Sequence, residues 1–185
     1  MRLAVLTAAL LLAGCASVAP RPPDLQAQVQ ASDLHLSGRL SVQVENAIDQ
    51  RNKGGNAGFD LSGSPAHGVL ELSTPLGSLI ARARWDRTAG EAVLETPGHE
   101  RRFDDLDALT REMLGESIPV EALFDWLQGH AWSGAPNTPL PEAGNIGFEQ
   151  LGWRVDLRRY ADGLIVATKQ GDPVVTLRAR VESKT

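Results

Sequence analysis

The alternation of apolar and polar residues is the feature that most constrains this fold. From Leu36 onward the period is two, so Leu40 and Val42 share one face of an extended segment. Turn residues such as Leu151 and Gly152 separate several further apolar segments. Many short strands with tight connections predict a meandering antiparallel sheet that is curled or closed. The further predicted strands are 56–61, 68–73, 78–85, 92–95, 147–150, 153–160, 164–169 and 174–181.

Two amphipathic stretches interrupt the strand pattern at about residues 104–129. Asp104 or Asp105 can cap a first helix, and a second is predicted near Pro119, because proline is favoured at the first helical position. Residues 134–144 predict a long irregular loop. Both apolar stripes must be covered, and the open face of the sheet is the available surface. The stripes contain Leu106, Leu109 and Met113 in the first helix, and Val120, Leu123, Phe124 and Leu127 in the second.

The amino terminus is typical of an export signal. A positive start is followed by an apolar run to Leu12, which is too short to span a bilayer as a permanent helix. Ala13 and Gly14 then precede Cys15, which is the single cysteine of the chain. This arrangement resembles a lipobox, which implies cleavage before Cys15 and attachment of lipid to its sulfur. The alternative is a plain signal peptide with an incidental cysteine.

The residues after Cys15 predict its destination. Ala16 and Ser17 follow Cys15. An aspartate directly after the cysteine would resemble a signal for inner-membrane retention, so the absence of aspartate there predicts the outer membrane. Several acyl chains hold a protein stably, because one chain holds only marginally and each buried methylene contributes about 0.8 kcal/mol. The predicted organisation is a cleaved signal peptide at 1–14, a lipid-anchored tether with a short helix at 15–31, and a single domain at 32–185.

An ordered set of short motifs extends over nearly the whole of that domain. It consists of GRLSV at 38–42, STPLGS at 73–78, LG at 114–115, IPV at 118–120, WL at 126–127, GFEQ at 147–150 and GWRV at 152–155. In order and spacing the set resembles the LolB family of outer-membrane lipoprotein receptors. The resemblance implies a mainly antiparallel β fold with helices (α+β), in which an incomplete, curled barrel encloses an apolar cavity covered by a helical lid.

The resemblance also implies a function in the transfer of acylated proteins. A LolA-like periplasmic carrier hands triacylated lipoproteins to a monomeric receptor, which is lipid-anchored at the periplasmic face of the outer membrane and inserts its cargo there. An acyl chain of about sixteen carbons exposed to water costs on the order of 12 kcal/mol, so the cargo needs shelter. No cofactor is implied beyond the lipid on Cys15 and the transiently bound acyl chains of the cargo.

Two sets of site residues follow. Leu76 lies between Pro75 and Gly77, and the resemblance implies a loop leucine that assists delivery to the membrane. The alternative is an ordinary turn residue, because isolated surface apolar side chains are common. For the acyl cavity, the alternative is simple core packing. The cavity candidates are Leu40, Val42, Phe59, Leu70, Leu72, Leu123, Trp126, Trp153 and Val155.

Other functional classes have less support. The formal net charge is −5 and the 18 basic residues are scattered, which argues against nucleic-acid binding. The four histidines form no helically spaced metal-binding pair, and no nucleophile-elbow motif occurs, so neither a metal site nor an enzyme is expected. The remaining alternative is a structural or envelope-assembly lipoprotein that binds another envelope component through its sheet.

Overall fold

The computed structural model describes residues 34–45, 53–114, 117–141, 144 and 146–182. The predicted signal peptide, the tether and Cys15 lie outside these residues. The strands are β1 (Leu34–Glu45), β2 (Lys53–Gly63), β3 (His67–Ser73), β4 (Leu79–Asp86), β5 (Glu91–Thr96), β6 (His99–Phe103), β7 (Asn137–Pro139), β8 (Gly147–Gln150), β9 (Trp153–Asp156), β10 (Leu164–Lys169) and β11 (Val174–Val181). The helices are α1 (Leu106–Leu114) and α2 (Val120–Trp126), and a 3₁₀ turn lies at Tyr160–Asp162.

The strands form one antiparallel sheet in the order β6-β5-β4-β3-β2-β1-β11-β10-β9-β8-β7. The alternation predicted for β1 is confirmed, because Val42 and Val44 are buried whereas Arg39 and Gln43 are exposed. Val42 lies opposite Leu177 of β11. Pairing across β1 and β11 therefore joins the first strand of the sheet to the last, and places β1 in the middle of the strand order.

Gly38 of β1 is required for this close pairing. It lies opposite Val181, and a Cβ atom built on it would collide with the backbone carbonyl oxygen of Arg180. Any side chain here would push β1 away from β11. The glycine in the apolar phase of β1 therefore marks close packing, which is one of the two roles that such a position can have.

One strand was not predicted, one lies in a segment predicted to be a loop, and one ends earlier than predicted. β6 has the sequence HERRF and four exposed residues, so it lacks apolar alternation; charged residues are typical of edge strands. β7 lies inside the expected loop at 134–144 and pairs with β8, although Pro139 belongs to it. β9 ends at Asp156 rather than Tyr160, because the Asp156 side chain accepts a hydrogen bond from the Arg158 amide and the chain then turns.

The two predicted helices are present. The Asp105 side chain accepts a hydrogen bond of 2.7 Å from the Ala108 amide, so Asp105 caps α1. Pro119 directly precedes α2, in which Val120, Leu123 and Phe124 are buried. The buried residues of α1, α2 and the inward face of the sheet form one apolar core.

Contacts of α2 show that the sheet curls. Phe124 contacts Trp85 of β4 with ring centroids 5.9 Å apart, and Trp126 contacts Trp153 of β9 at 6.2 Å. β4 and β9 are six steps apart in the strand order, which is about 29 Å in a flat sheet. Since α2 is only about 10 Å long, the strands must curve around it. In the described residues β6 and β7 do not pair, so the sheet is open and not a closed barrel.

Candidate functional site

A small apolar cavity lies between the helices and the sheet. Its volume is about 80 Å³, and Thr110 is the one polar residue in its lining. The Thr110 hydroxyl accepts a hydrogen bond of 3.1 Å from the Ile118 amide and donates to the Asp107 carbonyl at 3.3 Å, so it needs no partner inside the cavity. The lining residues are Leu40, Val42, Leu70, Leu72, Ala81, Ala83, Leu94, Leu109, Thr110, Ile118, Val120, Leu123 and Leu177.

The structure brings five of the nine cavity candidates to this space. They are Leu40, Val42, Leu70, Leu72 and Leu123. The other four pack in the core away from it, with between 0 and 5% of each residue exposed. They are Phe59, Trp126, Trp153 and Val155.

Sequence reasoning did not nominate eight of the lining residues. Leu109 and Val120 belong to the predicted helical stripes, and Ala81 and Ala83 share one face of β4. Alternation and helical spacing therefore indicated that these side chains point inward. Nothing in those patterns distinguishes a residue beside a gap from a residue in solid packing.

The carboxyl-terminal end of α2 is fixed to β8 by Gln150, whose residue is 2% exposed. Its side-chain oxygen accepts hydrogen bonds from the Trp126 indole at 2.8 Å and from the Trp132 amide at 2.9 Å. Its side-chain nitrogen donates to the carbonyl oxygens of Trp132 and Ala135, both at 2.7 Å. The sequence motif at 147–150 contained this residue, but spacing alone gave no sign of its role.

The polar contacts of α1 lie in water instead. Glu112 accepts a hydrogen bond of 2.6 Å from Arg101 of β6, and Asp107 accepts one of 2.6 Å from Ser117. Both hydrogen bonds are exposed to solvent, where such pairs contribute about 0 to 1 kcal/mol. The apolar stripe of α1 therefore supplies most of its attachment to the sheet.

Leu76 lies at the tip of the β3–β4 hairpin, and 95% of the residue is exposed. The Gly77 amide donates to the Thr74 carbonyl at 2.9 Å, which closes a turn with Pro75 and Leu76 at its centre. Gly77 has φ of +83°, a conformation that glycine adopts without a steric cost. The Ser78 amide donates to the Thr74 hydroxyl at 3.1 Å, so the turn is held by local bonds. Leu76 is therefore held away from the sheet in water.

Charges on the outward face of β3 to β5 neutralise one another. Arg82 donates to Glu71 at 2.7 Å and to Glu95 at 3.1 Å, and Arg84 pairs with Glu95. The hydrogen bond that Arg82 donates to Glu71, followed by the one it donates to Glu95, raises the pKa of Arg82 above its ordinary value. This face therefore offers no unpaired arginine on β4.

No group of three or more His, Cys, Asp or Glu residues in the described part of the chain is arranged to hold a metal ion. None of the helices in this part of the chain has the length and apolar character needed to cross a membrane.

An open antiparallel sheet curled around two amphipathic helices, with an apolar cavity between them, defines the half-barrel class of lipoprotein domain. A model of the family described as outer membrane lipoprotein LolB matches residues 32–178. The chain therefore belongs to the LolB family.

Individual relatives agree with the family model. The chain is 32% identical over 162 residues to outer-membrane lipoprotein LolB of Chromobacterium violaceum, covering 87% of this chain and 84% of the relative. It is 35% identical over 163 residues to the LolB of Bordetella petrii, covering 84% and 78%. It is 31% identical over 147 residues to the LolB of Neisseria meningitidis, covering 79% and 71%.

Proposed function

We propose that this protein is a receptor that accepts triacylated lipoproteins from a periplasmic carrier and inserts them into the outer membrane. Its domain is held at the periplasmic face of that membrane by lipid on Cys15, after removal of residues 1–14. The observation that carries the proposal is the apolar cavity between the helices and the sheet. Names of relatives support the location, since each is an outer-membrane lipoprotein.

The size of the cavity requires that the helices move. A site for a drug-sized ligand has about 300–1,000 Å³, whereas this cavity has about 80 Å³. We infer that the structure is the closed, empty state of the receptor, and that acyl chains enter when a helix withdraws from the sheet. Apolar contacts with the chains then replace the contacts that the helix gives up.

The contacts of the helices indicate which one withdraws. Four hydrogen bonds of the buried Gln150 side chain fix the end of α2 and the segment after it. The polar contacts of α1 are exposed and contribute little. We infer that α1 moves, and that the chains bind between its stripe and β3 to β5, where Leu70, Ala83 and Leu94 line the cavity.

Leu76 serves release in this proposal. A leucine moved from water into an apolar environment contributes about 1.5–3 kcal/mol, so insertion of the tip favours contact between the receptor and the bilayer. Transfer needs no energy source in the receptor if affinity for the acyl chains increases from carrier to receptor to membrane.

The sheet-binding alternative has less support from the described residues. Pairing with another protein needs an accessible edge with free backbone groups. One edge strand, β7, has three residues and includes Pro139, which lacks an amide hydrogen. The other, β6, has charged side chains at most of its positions. Both edges are therefore poor templates for strand addition.

Transfer is tested by mixing the full chain, in membrane vesicles, with carrier loaded with a lipoprotein. We expect the cargo to leave the carrier and to float with the vesicles. Leu76→Glu is expected to accept cargo and to deliver it at least tenfold more slowly. Leu151→Glu is the matched control, because Leu151 is 45% exposed at the turn between β8 and β9. Equal delivery by both variants would exclude the role of Leu76, and no transfer by the wild type would exclude the proposed function.

Sheltering is tested separately by photocrosslinking. A benzophenone amino acid in place of Leu72, which lines the cavity, is expected to react with radiolabelled acyl chains of the cargo. The control position is Val166 of β10, which lies in the opposite phase from buried Ile165 and Ala167. Labelling of the two positions to the same extent would contradict binding inside the half-barrel.

A further inference from the structure

Three arginines lie together on the outward face of β1 and β11. Arg39 of β1 is directly opposite Arg180 of β11, and Ser41 is directly opposite Arg178. All three arginines are exposed. We call Arg39, Arg178 and Arg180 the arginine surface.

The arginine surface has no compensating carboxylate at ion-pair distance among the described residues. Arg178 donates to the side-chain oxygen of Gln43 at 2.7 Å, and Arg180 donates to the backbone carbonyl of Asp162 at 3.3 Å. Like charges directly opposite one another in a sheet are destabilising. Arg82 and Arg84 of β4, in contrast, pair with glutamates on neighbouring strands. An uncompensated cluster indicates an anion that is supplied from outside the domain.

The arginine surface and the loop of Leu76 border the same depression. It has a volume of about 920 Å³ and is open to solvent, and its lining includes the three arginines together with Thr74, Pro75 and Gly77. Glu182 is the one carboxylate in that lining. A cationic surface beside an exposed leucine has the composition of an interfacial membrane-binding site, in which apolar insertion and electrostatic attraction act together.

We infer that the arginine surface binds the headgroup phosphates of anionic phospholipids while Leu76 enters the apolar region. The inference rests on the proposed delivery function of Leu76. The planar guanidinium forms two parallel hydrogen bonds to a phosphate, and each basic residue near an anionic membrane strengthens binding severalfold. The chain as a whole has a net charge of −5, so an anionic membrane repels it overall and attracts only the arginine surface. This difference orients the domain with the hairpin tip toward the bilayer.

The orientation is measured with a fluorophore beside the tip. The full chain with Ser78→Cys, labelled with an environment-sensitive dye, is placed on vesicles of phosphatidylcholine alone or mixed with phosphatidylglycerol. The chain without this substitution gives the background from Cys15. Lipid-borne quenchers report the ratio of docked to undocked domains. We expect phosphatidylglycerol to raise this ratio more than tenfold at low salt. Salt at about 0.5 M is expected to remove the increase.

Charge-matched variants separate the arginine surface from net charge. Arg39→Gln, Arg178→Gln and Arg180→Gln combined are expected to abolish the increase. The control combines Arg87→Gln, Arg102→Gln and Arg111→Gln, which are exposed arginines elsewhere, and is expected to retain it. Equal responses of the two triple variants would overturn the inference. It would also be overturned if the ratio of docked to undocked domains changed with inorganic phosphate or with the carrier and not with the lipid. Cargo delivery to phosphatidylcholine vesicles, measured in parallel, tests the proposed function independently.

Discussion

The Trp126 indole donates a hydrogen bond of 2.8 Å to the side-chain oxygen of Gln150, a residue 24 positions away on β8. Together with the Trp132 amide, it uses both acceptor sites of that oxygen. The two amide hydrogens of Gln150 bind the carbonyls of Trp132 and Ala135. A buried side chain with every hydrogen-bonding site occupied fixes α2 and the following segment to the sheet.

Gln150→Leu is therefore expected to reduce the free energy of unfolding by about 3 kcal/mol, because two donors and two carbonyls lose a buried partner. Urea denaturation of the full chain measures the change. Gln170→Leu is the control, since Gln170 is exposed and the expected change is within about 0.5 kcal/mol. Similar losses for the two variants would show that the Gln150 network does not fix α2.

Filling the cavity should cost little stability. Ala83 lines the cavity of about 80 Å³, so the added carbons of Ala83→Leu have space. Ala167 is 0% exposed and lies outside the lining, so Ala167→Leu is expected to lose about 1–3 kcal/mol through overpacking. Thermal denaturation should rank Ala83→Leu as the more stable variant, and photocrosslinking of cargo at position 72 should decrease in it. If Ala167→Leu were the more stable variant, the space that can accept added carbons would not lie beside Ala83.

Leu76→Ser is expected to leave folding unchanged. Because 95% of Leu76 is exposed, its removal should alter the free energy of unfolding by less than about 0.5 kcal/mol. Leu61, in contrast, is 1% exposed, and Leu61→Ala is expected to lose about 2–5 kcal/mol. Chemical denaturation distinguishes the two. A large loss for Leu76→Ser would mean that the leucine packs against the domain, which would remove the reason for assigning it to membrane contact.

Acid should weaken the turn after β9. Arg158 hydrogen-bonds the Asp156 carboxylate, and this lowers the pKa of Asp156 below its ordinary value of 3.8. The pair therefore stabilises the fold above that value, and the contribution is lost as the pH falls through the lower pKa of the folded state. In Asp156→Asn we expect a small loss of stability at pH 7, and the same stability as the wild type at a pH below the folded pKa. Unfolding curves measured between these limits check the convergence; a gap that persists in acid would implicate packing instead of charge.

The sequence was sufficient for elements with a strong period. Val42 and Val44 on β1 are buried as alternation predicts, and Asp105 caps α1 as expected for aspartate before an apolar stripe. β6 was missed because an edge strand exposed to water needs no apolar residues. Its backbone is held in the strand conformation by pairing with β5, which its side chains do not indicate. Hydrophobic periodicity in the sequence carries no information about backbone pairing of this kind.

The candidate site was only partly predictable for a different reason. Leu72 and Trp153 are both inward-facing apolar residues, yet one borders the cavity and the other packs against Trp126. Which of them lies beside a gap depends on how the seven strands from β4 to β9 curve around one short helix, and this is a property of three-dimensional packing. Gln150 shows the same limit, since its partners belong to a helix and a loop that lie apart from β8 in sequence.

The bonds that close the hairpin tip involve only Thr74, Gly77 and Ser78. None of them reaches α1, α2 or the space beneath the helices. The form of the tip therefore does not depend on the helices, and under the proposed function receptors with and without cargo present the same tip to the membrane. Binding of cargo would then not regulate when the receptor contacts the membrane.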